Sequence, residues 1–357
     1  MDERFTKEQW ALLQSGTVIP AHPLALSKQK KLDEVRQRAL TNYYIDSGAG
    51  GIAVGVHTTQ FEIRCPEFNL YERVLTLAKE QVEYRNLKRP FLKIAGICGQ
   101  TSQALKEATF AKELGYDIGL VSMGGLDLTE EEHLVRIRAI AEVIPVCGFY
   151  LQSSVGGRIF SYGFWEQFAD IEGVCAIKMA PFNRYQTIDV IRAVCHSKRR
   201  QEIALYTGND DNIVVDLLTN YKFTVEGELV EKRIVGGLLG HWAVWTSKAV
   251  QLFEEIKQIR ERSVIPESML TTASQVTDSN AALFDVAHQF KGCIAGINEV
   301  LRRQGLLSEN TCLRDHDVLS PNQFEQIDRI YREYSHLTDD GFVQEHLQEW
   351  LSNQQRR

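Results

Sequence analysis

Residues 144–182 read IPVCGFYLQSSVGGRIFSYGFWEQFADIEGVCAIKMAPF. Two apolar runs, Ile144 to Tyr150 and Val174 to Met179, flank a segment long enough for one helix. Strands joined through a helix enter the sheet in the same direction, so this stretch reads as a parallel strand–helix–strand unit. The second run also carries a lysine, Lys178, among residues that are otherwise apolar, shortly before Pro181.

Six more runs of the same kind lie outward from this unit: Thr17 to Ile19, Gly51 to Val56, Phe91 to Ile97, Ile118 to Met123, Ile203 to Tyr206 and Gly236 to Gly240. Most are separated by segments with helical periodicity. LDEVRQRALTNYYIDSG puts Leu32, Val35, Ala39, Leu40 and Tyr43 on one stripe and stops at Gly48. TSQALKEATFAKELGYD starts at a Thr/Ser cap and ends at Gly115. Eight such units close a (β/α)8 TIM barrel. An open doubly wound sheet is the competing α/β arrangement, but no GxGxxG turn follows the first run. The polar stretch TVEGELVEKR, between Phe223 and Arg233, reads as a small hairpin or loop on the seventh crossover. SKAVQLFEEIKQIRER, AALFDVAHQFKGCIAGINEVLRRQG and SPNQFEQIDRIYREYSHL then read as helices. The expected organisation is a barrel over 1–250 and a helical extension over 251–357 packed on it.

Composition narrows the function classes. The chain has 357 residues, within the range of a single barrel, and 44% of them are apolar, enough to fill a large core. A net charge of −7 offers no basic field for nucleic acid or anionic lipid. The short run Lys198-Arg199-Arg200 reads as a solvated helix end. Seven cysteines (65, 98, 147, 175, 195, 293 and 312) form no CxxC pair, which suits reduced thiols in a cytoplasmic protein. The opening MDERFTKEQWALLQ is charged and amphipathic, so no signal peptide is expected. No apolar run is long enough to span a bilayer.

Barrel enzymes take their reacting groups from the C-terminal ends of the strands. Here those ends supply His22, His57-Thr58-Thr59, Cys98, Met123, Tyr150, Lys178, Gly208-Asn209-Asp210-Asp211 and His241-Trp242. A lysine desolvated among apolar residues loses preference for its charged form, and a neutral amine can attack a ketone to form an imine. The alternative is a lysine that reaches solvent or pairs with a carboxylate. Tyr150 offers a phenol for proton transfer, or a rim tyrosine in water. Thr58 and Thr59 offer two hydroxyls and two amides suited to a carboxylate, or a capped helix start with Glu62. His22, His57 and His241 lie on different strands with no HxH or HxxxH spacing, so no metal site is expected from them.

The constellation resembles the dihydrodipicolinate synthase / N-acetylneuraminate lyase family of class I, Schiff-base aldolases. GVHTTQFE is similar to that family's Gly-Thr-Thr-Gly-Glu motif, Tyr150 to its strand-five tyrosine, and Lys178 to its imine-forming lysine. GNDD, at 208–211, is similar to the family's Gly-Asp-Asp turn, and GINEVLRRQGLL to its tail helix. The resemblance implies that Lys178 forms an imine with a pyruvate-like keto acid. Tyr150 would shuttle protons with Thr58, and Thr58 and Thr59 would hold the carboxylate. His57, Gly208 and Asp210 complete the expected substrate-binding set.

Several positions depart from the family pattern. Gln60-Phe61-Glu62 follows the threonines, Leu151-Gln152-Ser153 follows Tyr150, and VSMGGLDL lacks the strand-four tyrosine. Arg158 stands offset behind two glycines. The expected function is a cytoplasmic lyase or aldolase on a 2-keto acid, with no cofactor, no nucleic-acid or membrane partner, and a homo-oligomeric state, tetramer or dimer. Two alternatives stand beside it: a metal-assisted hydrolase using His22, His57, His241 and Asp210, and a non-catalytic or regulatory barrel that binds a small acid.

Overall fold

The computed structural model describes residues 2–262 and 264–352. Its elements alternate as the periodicity requires: β1 (Val18–Pro20), α2 (Glu34–Asp46), β2 (Gly51–Val54), α3 (Tyr71–Tyr84), β3 (Leu92–Ile97), α4 (Thr101–Glu113), β4 (Ile118–Ser122) and α5 (Glu130–Val143). Then come β5 (Val146–Leu151), α6 (Tyr162–Ala169), β6 (Val174–Ala180), α7 (Arg184–His196), β7 (Ala204–Thr207), α8 (Ile213–Leu218), β8 (Asn220–Val225) and β9 (Glu228–Leu239). A short helix, α1 (Lys7–Ser15), precedes β1, fixed by a capping box in which Thr6 and Gln9 exchange bonds. β1 to β7 and β9 are the eight strands of a (β/α)8 barrel. β8 is the exception. It pairs antiparallel with the first half of β9 through the turn Glu226-Gly227, both at positive φ. The expected hairpin is therefore present, and longer than its polar centre suggested.

By contacts the chain divides into two compact units. One comprises Met1–Thr17 and Leu92–Leu238. Its strands pair in parallel from β3 through β4, β5, β6 and β7 to β9. Every residue of β4 to β7 is buried, as expected for parallel strands covered on both faces. Gly16 and Gly236 let α1 and β9 approach: a Cβ on Gly16 would lie 1.9 Å from the Val235 carbonyl oxygen.

The other unit comprises Val18–Phe91 and Leu239–Arg357. β1 and β2 meet in parallel, with the His22 N–H donating to the Ala53 carbonyl at 2.8 Å. After β9, the described elements are all helical: α9 (Thr246–Arg260), α10 (Ser268–Leu283), α11 (Cys293–Arg303), α12 (Gln323–Glu333) and α13 (Asp340–Ser352), with short 3-10 turns. The helix expected over AALFDVAHQFKGCIAGINEVLRRQG is broken in the middle. α10 stops before Phe284, and Asp285, Gln289 and Phe290 all take left-handed backbone angles. The break is held by the buried Asp285 carboxylate, which accepts from Gly292 N–H at 2.9 Å, Ser320 Oγ at 2.5 Å and His288 Nδ1 at 2.6 Å. A short acceptor side chain competes with the helical ladder in this way.

Candidate active site

β6 presents Ala176, Lys178 and Ala180 on one face and Cys175, Ile177 and Met179 on the other. Which face points to the helices is settled by Gly148, the register partner of Ile177. A Cβ on Gly148 would lie 2.4 Å from Phe168 Cζ on α6, so the row containing Gly148 and Ile177 faces the helix layer. Lys178 therefore points to the inner face. It is 7% exposed, and its Nζ sits 4.1 Å from the centroid of the Phe149 ring.

The lysine can lie there because a glycine, Gly208, follows β7. Gly208 N–H donates to the Met179 carbonyl at 2.6 Å, which holds the two strand ends together. A Cβ at Gly208 would be 2.6 Å from Lys178 Cε. Burial lowers the amine's pKa from 10.5 to about 8, opposed by the charge of Asp210 and by the Cys147 sulfur. The Phe149 ring also favours the ammonium form. Desolvation outweighs all three. A value near 8 leaves roughly a tenth of the amine neutral at pH 7, about three hundred times the fraction of an ordinary lysine.

Tyr150 is placed elsewhere, which corrects the expectation drawn from its spacing. Its ring packs on Trp165 at 4.9 Å between centroids and on Phe160 at 6.2 Å, and the Phe160 backbone N–H faces its phenol oxygen. Burial raises its pKa above the usual tyrosine range. The cause is an irregularity in the β5–β6 ladder. Val146 pairs with Val174, a separation of 28 that would set Tyr150 opposite Lys178. The register then shifts between Val146 and Cys147, so that Phe149 faces Lys178 and Tyr150 faces Met179.

Asp210 is 9% exposed and follows two residues after Gly208. Its turn is fastened from below by Asn209. The Asn209 amide oxygen accepts from Phe182 N–H at 3.1 Å, and its nitrogen donates to Asp216 at 3.0 Å and Thr187 Oγ1 at 3.3 Å. Thr207 Oγ1 also donates to Asp216 at 2.7 Å, and Asp216 ion-pairs with Arg184. This buried network was not read from the sequence. An Asn in a turn and an Asp on the following helix are too common to single out.

In the second unit, His57, Thr58 and Thr59 form a 3-10 turn after β2. The Thr59 hydroxyl donates to the His22 carbonyl at 2.7 Å and accepts from Gly55 N–H at 3.0 Å and Val56 N–H at 3.2 Å. Its own N–H donates to the Val56 carbonyl at 3.0 Å. Thr59 thus holds the turn rather than offering groups to a ligand. Thr58 is 6% exposed; a Cβ at Gly240 would come 3.5 Å from its Oγ1 and 3.1 Å from the Phe284 ring. His57 stacks obliquely on Phe61.

The histidines considered for metal have other occupations. His22 Nε2 lies 2.9 Å from Thr41 Oγ1, and its Nδ1 lies 2.9 Å from the Pro23 carbonyl and 3.0 Å from Gln37 Nε2. Burial pushes His22 and His241 down to about 4, with Asn280 bonding to His241. Among the described residues no group of three His, Cys, Asp or Glu is arranged to hold a metal. Nor is any described helix long and apolar enough to cross a membrane.

No protein-family model and no curated protein matches the chain. Solved structures do. Dihydrodipicolinate synthase from Oceanobacillus iheyensis superposes with a TM-score of 0.71 at 16% identity, covering 92% of this chain and 99% of that one. CdNal from Clostridium difficile, in complex with mannosamine, gives 0.69 at 17%, covering 89% and 99%. N-acetylneuraminate lyase from Fusobacterium nucleatum, complexed with pyruvate, gives 0.69 at 16%, covering 90% and 98%. Over nearly all its length, then, this chain has the fold of the dihydrodipicolinate synthase and N-acetylneuraminate lyase structures.

Proposed function

We propose that the protein is a lyase that acts on a pyruvate-like 2-keto acid through an imine on Lys178. The observation that carries this reading is a buried amine at the C-terminal end of a barrel strand, desolvated enough to be partly neutral near pH 7. The fold shared with the synthase and lyase structures adds to it. An imine withdraws electrons from the neighbouring carbon, so carbon–carbon cleavage, condensation and loss of water all suit it. Gly208, whose position the Lys178 stem packs over, and Asp210 two residues on are the substrate-binding residues of this proposal within the unit that holds Lys178. A homo-oligomer, dimer or tetramer, remains part of this proposal, and light scattering on the purified chain tests it.

A second reading, a barrel that binds a small acid without turning it over, draws on Phe149, since a ring with no acidic proton faces the amine. Reduction with borohydride in the presence of pyruvate, followed by peptide mapping, separates the two. Lysine 178 is expected to carry the label, and Lys178→Ala to carry none. Absence of label at Lys178 across a panel of 2-keto acids, with those acids still binding, favours the second reading.

A further inference from the structure

With Tyr150 turned to the helices, imine formation at Lys178 lacks the phenol that the resemblance assigns to it. Attack of an amine on a ketone and departure of the oxygen as water both need a group that exchanges protons beside the nitrogen. Within the unit that holds Lys178, strand register pairs it with Phe149 and Tyr206, and the charges of Cys147 and Asp210 act on its amine. Phe149 has no exchangeable proton. Cys147, whose sulfur the Lys178 backbone N–H faces, is pushed by burial up to about 12 and keeps its proton. Tyr206, the β7 register partner of Lys178, is pushed well above the usual phenol range, and its hydroxyl donates to the Leu13 carbonyl at 2.9 Å. Asp210 remains. The stem of Lys178 crosses Gly208, and the Asp210 carboxylate two residues on acts on the amine. The neighbouring Asp211 has its carboxyl raised by burial and acted on by the charges of Arg184 and Asp216.

We propose that Asp210 is the catalytic acid–base of imine formation, standing in for the phenol that β5 turns away. This rests on Lys178 being the nucleophile. The Asp210 carboxylate takes one proton from the Lys178 ammonium, and the freed lone pair forms the N–C bond as the carbonyl π electrons move to oxygen. The carboxylic acid then protonates that oxygen, and the carboxylate takes a second proton from nitrogen, giving a neutral carbinolamine. The same acid protonates the hydroxyl, the C–O bond breaks, water leaves, and the nitrogen lone pair closes the iminium. One ammonium and one ketone become one iminium and one water, with Asp210 restored as carboxylate.

The alternative is that Asp210 is only a fixed charge, and the two roles predict opposite signs. The carboxylate raises the amine's pKa, so its removal leaves more neutral amine at pH 7. A purely electrostatic Asp210 therefore makes Asp210→Asn faster in imine formation; a proton-exchanging Asp210 makes it slower. The experiment follows the rate at which pyruvate with cyanoborohydride modifies Lys178, by mass spectrometry, in the wild type, Asp210→Asn and Asp210→Gly. The expected result is a loss on the order of a hundredfold in both variants, with added formate restoring rate to Asp210→Gly in proportion to its concentration. Equal or faster modification of Asp210→Asn overturns the proposal and leaves Lys178 as nucleophile. Variants that keep the wild-type circular dichroism and melting transition but are slow and not rescued by formate also overturn it. If neither variant folds, the wild-type pH–rate profile decides: two ionisations support the relay and one overturns it. Failure of wild-type Lys178 to be modified at all removes the imine reading itself, and the relay with it.

Discussion

Lys178 and Gly208 work as a pair. The lysine's aliphatic stem occupies the space that any side chain at 208 would fill, with a Cβ there 2.6 Å from Lys178 Cε and 2.9 Å from Ala180 Cβ. Gly208→Ala must therefore displace the lysine or the strand end. Overpacking of this kind costs about 1–3 kcal/mol, and a reacting group moved by an ångström can lose on the order of a hundredfold in rate. The expected outcome is a folded variant with a lowered melting temperature and slow reductive trapping of Lys178 by pyruvate. Trapping at the wild-type rate would mean that the amine does not depend on this contact. At this scale the lysine was legible in the sequence, because one charged residue in an apolar run stands out. Phe149 was not, because its side of the strand depends on a neighbour's register.

The β5–β6 ladder shows how an element decides which residues can act together. A spacing of 28 between Tyr150 and Lys178 suits one helical crossover, and the first pair of the ladder, Val146 with Val174, keeps that spacing. One irregularity past it exchanges the partner of Lys178 from Tyr150 to Phe149. Side chains alternate faces along a strand, so a one-residue shift moves a hydroxyl from one side of the sheet to the other. Spacing between strands can be counted from a sequence, but a bulge inside a buried strand has no mark in composition. Tyr150→Phe is then expected to lose about 1 kcal/mol of stability, from the polar contact with Phe160, and to keep Lys178 trapping within about twofold of wild type. A loss of a hundredfold would restore Tyr150 to the site. The tail gives a similar lesson: helical periodicity runs through 281–305, yet Asp285 and its three hydrogen-bond donors break the helix there.

Across the whole molecule, the eight strands and their alternation with helices were legible, since a period of two and a period near 3.6 are properties of the chain itself. Observed strand limits differ from the expected ones mostly by one or two residues; β9 begins eight residues earlier than Gly236 because it continues the hairpin. The polar networks inside were not legible, and they set the molecule's response to pH. His22 and His241 are held near 4 by burial, below their ordinary 6.5. The unfolded chain therefore takes up protons first as pH falls. Stability from these groups is complete above about 6.5 and declines down to about 4, by up to about 3 kcal/mol for each. Asp117 and Asp339, whose carboxyls burial raises, act in the opposite sense just above the ordinary carboxylate range. Urea midpoints are expected to fall between pH 6.5 and 4.5, and less steeply in His22→Gln. A flat profile would mean that the imidazoles are not buried neutral.

The chemistry proposed for the molecule starts from the amine of Lys178, with Asp210 as its proton partner. The most direct measurement is the rate of Lys178 modification by pyruvate and cyanoborohydride as a function of pH, read by peptide mass. A midpoint near 8 is expected for Lys178, well below the ordinary lysine value of 10.5. A midpoint near 10.5, or modification spread over surface lysines with none at 178, would contradict it.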